Sequence, residues 1–284
     1  MDSPRYSFFR RLGTENGLIS WVRTCSLLLC PLPLCTLAVT YACAFSASIH
    51  LFLLQSNQGA CDLVLLIAPS FQGKSLRIHV RTTIRYFYSY IEAAALNIGN
   101  DTLEVTSFGD YAFNGIGNAN LTEASLAGYS VHHRVPNPKQ HIFDIVVDGR
   151  ENITLSTFKD LVSIKIDRGD RLSFGNSFGI MGTFDGTLLA RDLESVMEPG
   201  DAFGQEWQVR PYDKQLFRVV REPQYPEACR MPTATEHKDR QNRLGQSVSR
   251  GAAEKACTHL EGAAKKGCIY DVLMVGDKDI ALAY

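Results

Sequence analysis

Asp185 and Asp192 lie seven residues apart in FGNSFGIMGTFDGTLLARD, the stretch from Phe174 to Asp192, which Gly175, Gly179, Gly182 and Gly186 punctuate. Glycines at that density mark backbone that turns tightly or passes close to a neighbour. Two carboxylates across such a turn suit hard oxygen ligation of calcium better than proton transfer. They suit a plain surface turn equally well, because aspartate caps its own backbone there. His132 and His133 are adjacent, so on a strand their rings point to opposite faces and do not converge on one metal. Outside the apolar N-terminal segment stand Cys61, Cys229, Cys257 and Cys268, with no C-x-x-C pair among them. They read as two disulfides, with three connectivities open, or as four buried thiols. Asn100, Asn120 and Asn152 each open an N-x-S/T sequon, a glycosylation signal for a chain that reaches the secretory lumen. The sequence carries no G-x-S-x-G, H-E-x-x-H or P-loop pattern, and Gly115-Ile116-Gly117 lacks the third glycine of a dinucleotide fingerprint, so the reading is non-enzymatic.

The elements that must hold these residues are mostly strands. Leu63 to Ile67 is an apolar run closed by Pro69, Ser70 and Gly73. Leu76, Ile78 and Val80 then alternate with Arg77, His79 and Arg81, the period of a half-buried antiparallel strand. Gly99-Asn100-Asp101 turns one pair of strands, and Asp148-Gly149 signals a hairpin between Ile142–Val147 and Ile153–Leu155. Val162, Ile164 and Ile166 repeat the alternation, and the whole predicts a mainly β chain, an antiparallel β-sandwich. Prolines concentrate between Pro211 and Pro232, marking the exit from the sheets. Glu236 to Tyr284 is rich in helix formers and predicts a small α-helical tail of two short helices. At the other end, Arg5, Arg10, Arg11 and Arg23 precede Thr24–Gln55, which has no formal charge. That profile predicts a signal peptide, with Ala42-Cys43-Ala44 as an A-x-A-like cleavage site, or an uncleaved single-pass anchor. The organisation expected is 1–55 leader or anchor, 56–221 β domain, 222–284 helical tail. Over 284 residues the net charge is −1 and the 29 basic residues are scattered, which excludes a nucleic-acid surface.

GIMGTFDG, followed by ARD and then FGQEWQV, resembles the signature that closes a von Willebrand factor type D domain, where a "GLCGNFNG" turn precedes an acidic pair and an "FGNSW" strand. CDLVLL, LRIHVRTT, YSYIEAAALNIGNDTLEV, FDIVVDGRENITL and FKDLVSIKI extend the likeness over roughly residues 58 to 210. Met181 and Thr183 stand where the family usually has cysteine and asparagine. The family's opening "GDPHF" strand and "FDG" turn are missing, with Ser46–Leu54 in their place, so the domain is truncated at its N-terminal strand or the N-terminus is foreign to it. ACTHLEG…GCIYDVLMVGDKDIALAY resembles the cysteine-rich tail that follows such domains, with Leu273 in place of one cysteine.

The resemblance implies calcium as cofactor, held by the Asp185 and Asp192 carboxylates and the Thr187 carbonyl, weakly because two family ligands are lost. It also implies the pairs Cys61 with Cys229 and Cys257 with Cys268. The function expected is a non-enzymatic adhesion, matrix or assembly protein, extracellular or at the cell surface, with a protein or matrix partner and with membrane contact only through a retained N-terminal segment. The alternative is a secreted calcium-dependent hydrolase or lectin-like module, with a pocket joining Asp110, His79 or His133 to Asp185.

Overall fold

The computed structural model describes residues 20–26, 42–49 and 59–283, the last range apart from 86–87, 119–120, 122–124, 148–150, 170, 199, 228–234, 236–238, 240–241 and 243–246. Two antiparallel sheets make up the β part. The first runs in sequence order through β3 (Asp62–Phe71), β4 (Lys74–Arg85), β5 (Tyr88–Ile98), β6 (Asp101–Thr106), β7 (Tyr111–Phe113) and β8 (Ile116–Gly117). The second is ordered β1 (Ser20–Ser26), β2 (Ala42–Ile49), β13 (Leu161–Gly169), β12 (Glu151–Phe158), β11 (Gln140–Val147), β10 (Tyr129–Asn137) and β9 (Ser125–Leu126). Its middle is the hairpin the sequence signals, with Ile145 opposite Ile153, although the Asp148-Gly149 turn lies outside the described residues.

Tight turns set the registers. Gln72-Gly73, Asn114-Gly115 and Ala127-Gly128 all have positive φ at both positions and link Phe71 to Lys74, Phe113 to Ile116 and Leu126 to Tyr129. Two consecutive left-handed residues give the turn whose twist matches that of paired strands. Once register is fixed, alternation decides the core. Leu76, Ile78, Val80, Leu96, Ile98, Leu103 and Val105 meet Phe143, Ile145, Val147, Ile153, Leu155, Ile164 and Ile166 across the sandwich.

The β4 alternation departs from a half-buried strand at one place, because His79 is 1% exposed. Its face of the sheet is covered by the chain after the sandwich. Leu216 and Phe217 pack on Ala93 and Ala95, and Ala95 lies opposite His79. Lys214 reaches Asn97 at 2.8 Å, the Arg218 amide donates to Glu104 at 2.9 Å, and Arg221 pairs with Glu92. Residues 213–221 thus form a strap of alternating anchors across that face.

After the short helices α1 (Arg171–Phe174) and α2 (Asp201–Glu206), the tail consists of α3 (Arg250–Ala256), capped by Ser249 accepting from the Ala252 amide, α4 (Gly262–Val275), ended by the left-handed Gly276, and a 3₁₀ turn, Lys278–Ala283. It buries Ala253, Cys257, Cys268, Val272 and Ile280 against Tyr90, Phe158 and Leu161, and Cys257 is bonded to Cys268. Within the apolar N-terminal segment, β2 pairs with β13, Ala47 opposite Ile166. No helix among the described residues is long and apolar enough to cross a membrane.

Candidate functional site

The Gly-rich stretch lies along the outer edge of β3, where unpaired backbone would otherwise invite another strand. Phe178 and Ile67 exchange amide-to-carbonyl bonds of 2.7 and 2.9 Å, and the Ile180 amide donates to Val64 at 3.1 Å. Gly179 makes this approach possible. A Cβ there would stand 2.6 Å from the Leu65 carbonyl oxygen, and its φ of +139° disfavours a side chain. Farther along, the Val64 amide donates to Trp207 O and the Val209 amide to Asp62 O, each at 2.8 Å, so the end of α2 (Asp201–Glu206) completes the cover.

One side chain ties the two halves of this cover together. The Arg191 guanidinium donates from Nη1 and Nη2 to both Asp213 carboxylate oxygens at 3.0 Å, from Nε to Glu206 O at 2.7 Å and from Nη2 to Gln208 O. It lies 5.3 Å from the ring centre of Trp207, whose indole nitrogen donates to Leu189 O at 3.0 Å. The bidentate fork and flat stacking are properties of arginine that lysine lacks. In the ARD triplet, arginine is therefore the organiser, a role that reading its acidic neighbour as the ligand misses.

Asp192 sits next door in an exposed turn and is occupied by it. Its Oδ1 accepts from the Glu194 and Ser195 amides at 2.9 Å, and its Oδ2 from the Ser195 hydroxyl at 2.6 Å. Those bonds, the hydroxyl first, hold its carboxyl below the usual range. The Thr187 carbonyl is turned inward, accepting from the Thr183 amide at 2.8 Å and lying 2.8 Å from where a Gly182 Cβ would be. Asp185 is exposed in the turn between Thr183 and Thr187. Calcium takes six to eight oxygens. Here one carboxylate is committed to its own turn, the carbonyl faces the loop interior, and no group of three or more His, Cys, Asp or Glu side chains among the described residues is placed to hold a metal. In this arrangement an ion would have to displace the bonds that Asp192 and the Thr187 carbonyl already make. Asp192→Ala is accordingly expected to lower the melting temperature by the same amount with and without millimolar calcium; a decrement that appears only with calcium would reinstate the ion.

The remaining candidates are dispersed. Cys61 is disulfide-bonded, and Cys229, assigned to it by the resemblance, lies outside the described residues. Asn100 is exposed in the β5–β6 turn, Asn152 is half-buried on β12 with its amide 3.2 Å from the Thr154 hydroxyl, and Asn120 lies outside the described residues. His79 faces the strap, whereas His133 sits on the other sheet against His141 and Tyr111, so the two do not share a pocket. His132 is exposed and its neighbour is not, as opposite faces require.

Among the described residues, ion pairs cross two of the shallow cavities. One of about 480 Å³ lies between the sandwich and the tail beside Phe108, and Lys139 is paired with Asp279 at 3.0 Å and Lys159 with Asp277 at its wall. The other, of about 500 Å³, is bounded by Met197, Tyr225 and the Arg210–Glu206 pair at 2.9 Å. The sequence holds a signal that places His141 beside His133. With Pro136-Asn137-Pro138 turning the chain, positions 133 and 141 fall on one face of a hairpin. Compared with known proteins, the chain matches no family model and no curated protein.

Proposed function

We propose that the chain is a non-enzymatic interaction protein of the extracellular space or cell surface, acting in adhesion, matrix or assembly through a domain like the von Willebrand factor type D domain. One observation carries the reading. The residues on which the resemblance rests are spent on holding the fold: Phe178–Met181 on the β3 edge, Arg191 in its fork, Asp192 in its turn and Trp207 in the core. A module that spends its signature on closure has its outer surface left for recognition. The bonded Cys257–Cys268 pair fits an oxidising compartment.

The test is expression of the full chain, tagged at its C-terminus, in a eukaryotic secretory host. The product is expected at the surface or in the medium, carrying N-glycan that Asn100→Gln reduces more than Asn152→Gln, because Asn100 is exposed in a turn and Asn152 is half-buried on a strand. A product that stays cytosolic and unglycosylated would overturn the proposal.

A further inference from the structure

Gln208 and Arg210 flank Val209 just after α2, where Gln208 bridges antiparallel to Leu63 on the edge of β3. Val209 packs on the sandwich core and its amide is bonded to Asp62 O, so its two neighbours stand on the side away from the core. Both line the cavity of about 500 Å³ whose walls also include Met197, Ala202, Glu206 and Tyr225. Gln208 is only 3% exposed, yet its side-chain Oε1 is buried with no hydrogen-bond partner among the described residues. Arg210 Nε is buried and unpartnered in the same way. Burying a polar atom without a partner is costly, and two such atoms on residues of one cavity wall mark a place that a ligand completes.

The two atoms differ in sense: Gln208 Oε1 accepts and Arg210 Nε donates. The rest of the guanidinium is engaged, Nη1 donating to the Tyr212 hydroxyl at 2.7 Å and Nη2 to Glu206 Oε2 at 2.9 Å and Glu206 O at 3.4 Å. It also stands 5.5 Å from the ring centre of Tyr225. Held from these directions, it loses little freedom when a ligand arrives. Glu206 balances its charge inside the site, so an ionised carboxylate gains no net attraction and a neutral group is favoured. A primary carboxamide is neutral and carries an N–H and a carbonyl oxygen on one edge, whereas in a trans backbone amide the two point to opposite sides. Met197, Ala202 and the Tyr225 ring supply apolar wall for the methylene stem behind it. A hydroxyl-rich sugar asks for more than one free donor and one free acceptor.

We propose that this cavity binds the side-chain carboxamide of an asparagine or glutamine presented by a partner protein, with Gln208 Oε1 accepting from its N–H and Arg210 Nε donating to its carbonyl oxygen. Being shallow, the cavity takes one side chain and the backbone beside it and does not enclose a free small molecule. Recognition of one amide edge by a matched donor and acceptor is the pairing that asparagine and glutamine make with adenine. The inference rests on the interaction role proposed above for the statement that the occupant belongs to a partner protein. The contact itself does not depend on secretion, so peptide binding and export succeed or fail separately.

The experiment adds the peptide leucine-glutamine-leucine, blocked as its acetyl N-methylamide so that it holds no other primary amide, to the purified full chain labelled with nitrogen-15. The Arg210 Nε–H resonance, identified by its disappearance in Arg210→Lys, is expected to move saturably. Counterparts with glutamate or methionine at the centre are expected to bind about fivefold or more weakly, the loss of one or both hydrogen bonds. Gln208→Met keeps the length of the side chain and removes its amide. It is expected to weaken the glutamine peptide by a similar factor while leaving the urea midpoint equal or higher, because the native oxygen has no partner to lose. A purely structural glutamine gives the reverse, a lowered midpoint with peptide binding untouched. Absence of a saturable shift, equal binding of the methionine peptide, or unchanged affinity in Gln208→Met overturns the proposal. So does tighter binding of the glutamate peptide, the result expected of a Gln208 amide that turns its nitrogen to the ligand and so prefers a carboxylate.

Discussion

Arg191→Ala is expected to destabilise the sandwich by about 3 to 5 kcal/mol, the cost of removing one partner from a largely buried ion pair. The Arg191 and Asp213 side chains are 17% and 14% exposed, so little water is available to replace the guanidinium. Asp213 would keep its bond from the Arg210 amide, at 2.7 Å, but lose both guanidinium contacts. The Gln208 carbonyl would lose its Arg191 donor, the Glu206 carbonyl would keep only the long 3.4 Å bond from Arg210 Nη2, and Trp207 would lose the cation against its face. All these groups belong to the cover of β3, so the loss falls on the suture that closes the sheet edge. Urea denaturation followed by tryptophan fluorescence measures it. Arg191→Lys should recover only a small part, because an ammonium cannot span both Asp213 oxygens and two carbonyls at once. A loss under about 1 kcal/mol, the range of an exposed pair, would mean that the fork is ornamental.

The legible parts of this chain were those written in local periodicity. Leu76, Ile78 and Val80, or Ile153 and Leu155, announce strands because one face must be apolar and the next residue must not, and sheet register follows from turns such as Asn114-Gly115. The helical tail was legible from composition for the same reason. The closing segment was legible only as a place. Four glycines mark close approach, yet nothing local says that Gly179 approaches Leu65 rather than a ligand. Asp192 carries the signal of a metal ligand because a short acidic side chain at a turn looks the same in sequence whether it binds an ion or its own amides. Arg191 escaped because its partners, Glu206 and Asp213, are 15 and 22 residues away, beyond any periodic pattern. The burial of His79 escaped because the strap that covers it comes from residues 213–221, although the run Ala93-Ala94-Ala95 on the adjoining strand, which has no polar alternation, marked a sheet face meant to be covered.

That burial gives the second large effect: the protein is expected to lose about 3 kcal/mol of stability as pH falls from about 6.5 to about 4, with His79 as the cause. Removal from water is the main force, and it lowers the imidazolium from 6.5 to about 4. Asp213 and Asp62 pull the other way, while Arg77 and Arg191 add to the lowering. Neither ring nitrogen has a hydrogen-bond partner among the described residues, so nothing nearby favours the charged form directly. The sign follows from proton counting. Between the two values the unfolded chain holds a proton on this residue and the folded chain does not, so each unit of acidification favours unfolding by about 1.4 kcal/mol until the folded state titrates too. Above the unfolded value the residue contributes no pH dependence. His79→Leu should flatten this window and leave neutral stability equal or higher, since it removes an unpaired polar ring from an apolar layer. The two large effects are coupled: Arg191→Ala removes a cation that helps hold His79 neutral, so it should raise the His79 pKa and narrow the acid-sensitive window while lowering stability throughout. Denaturant midpoints of wild type, His79→Leu and Arg191→Ala across this range decide the matter, and an equal acid loss in wild type and His79→Leu would move the cause to the carboxylates.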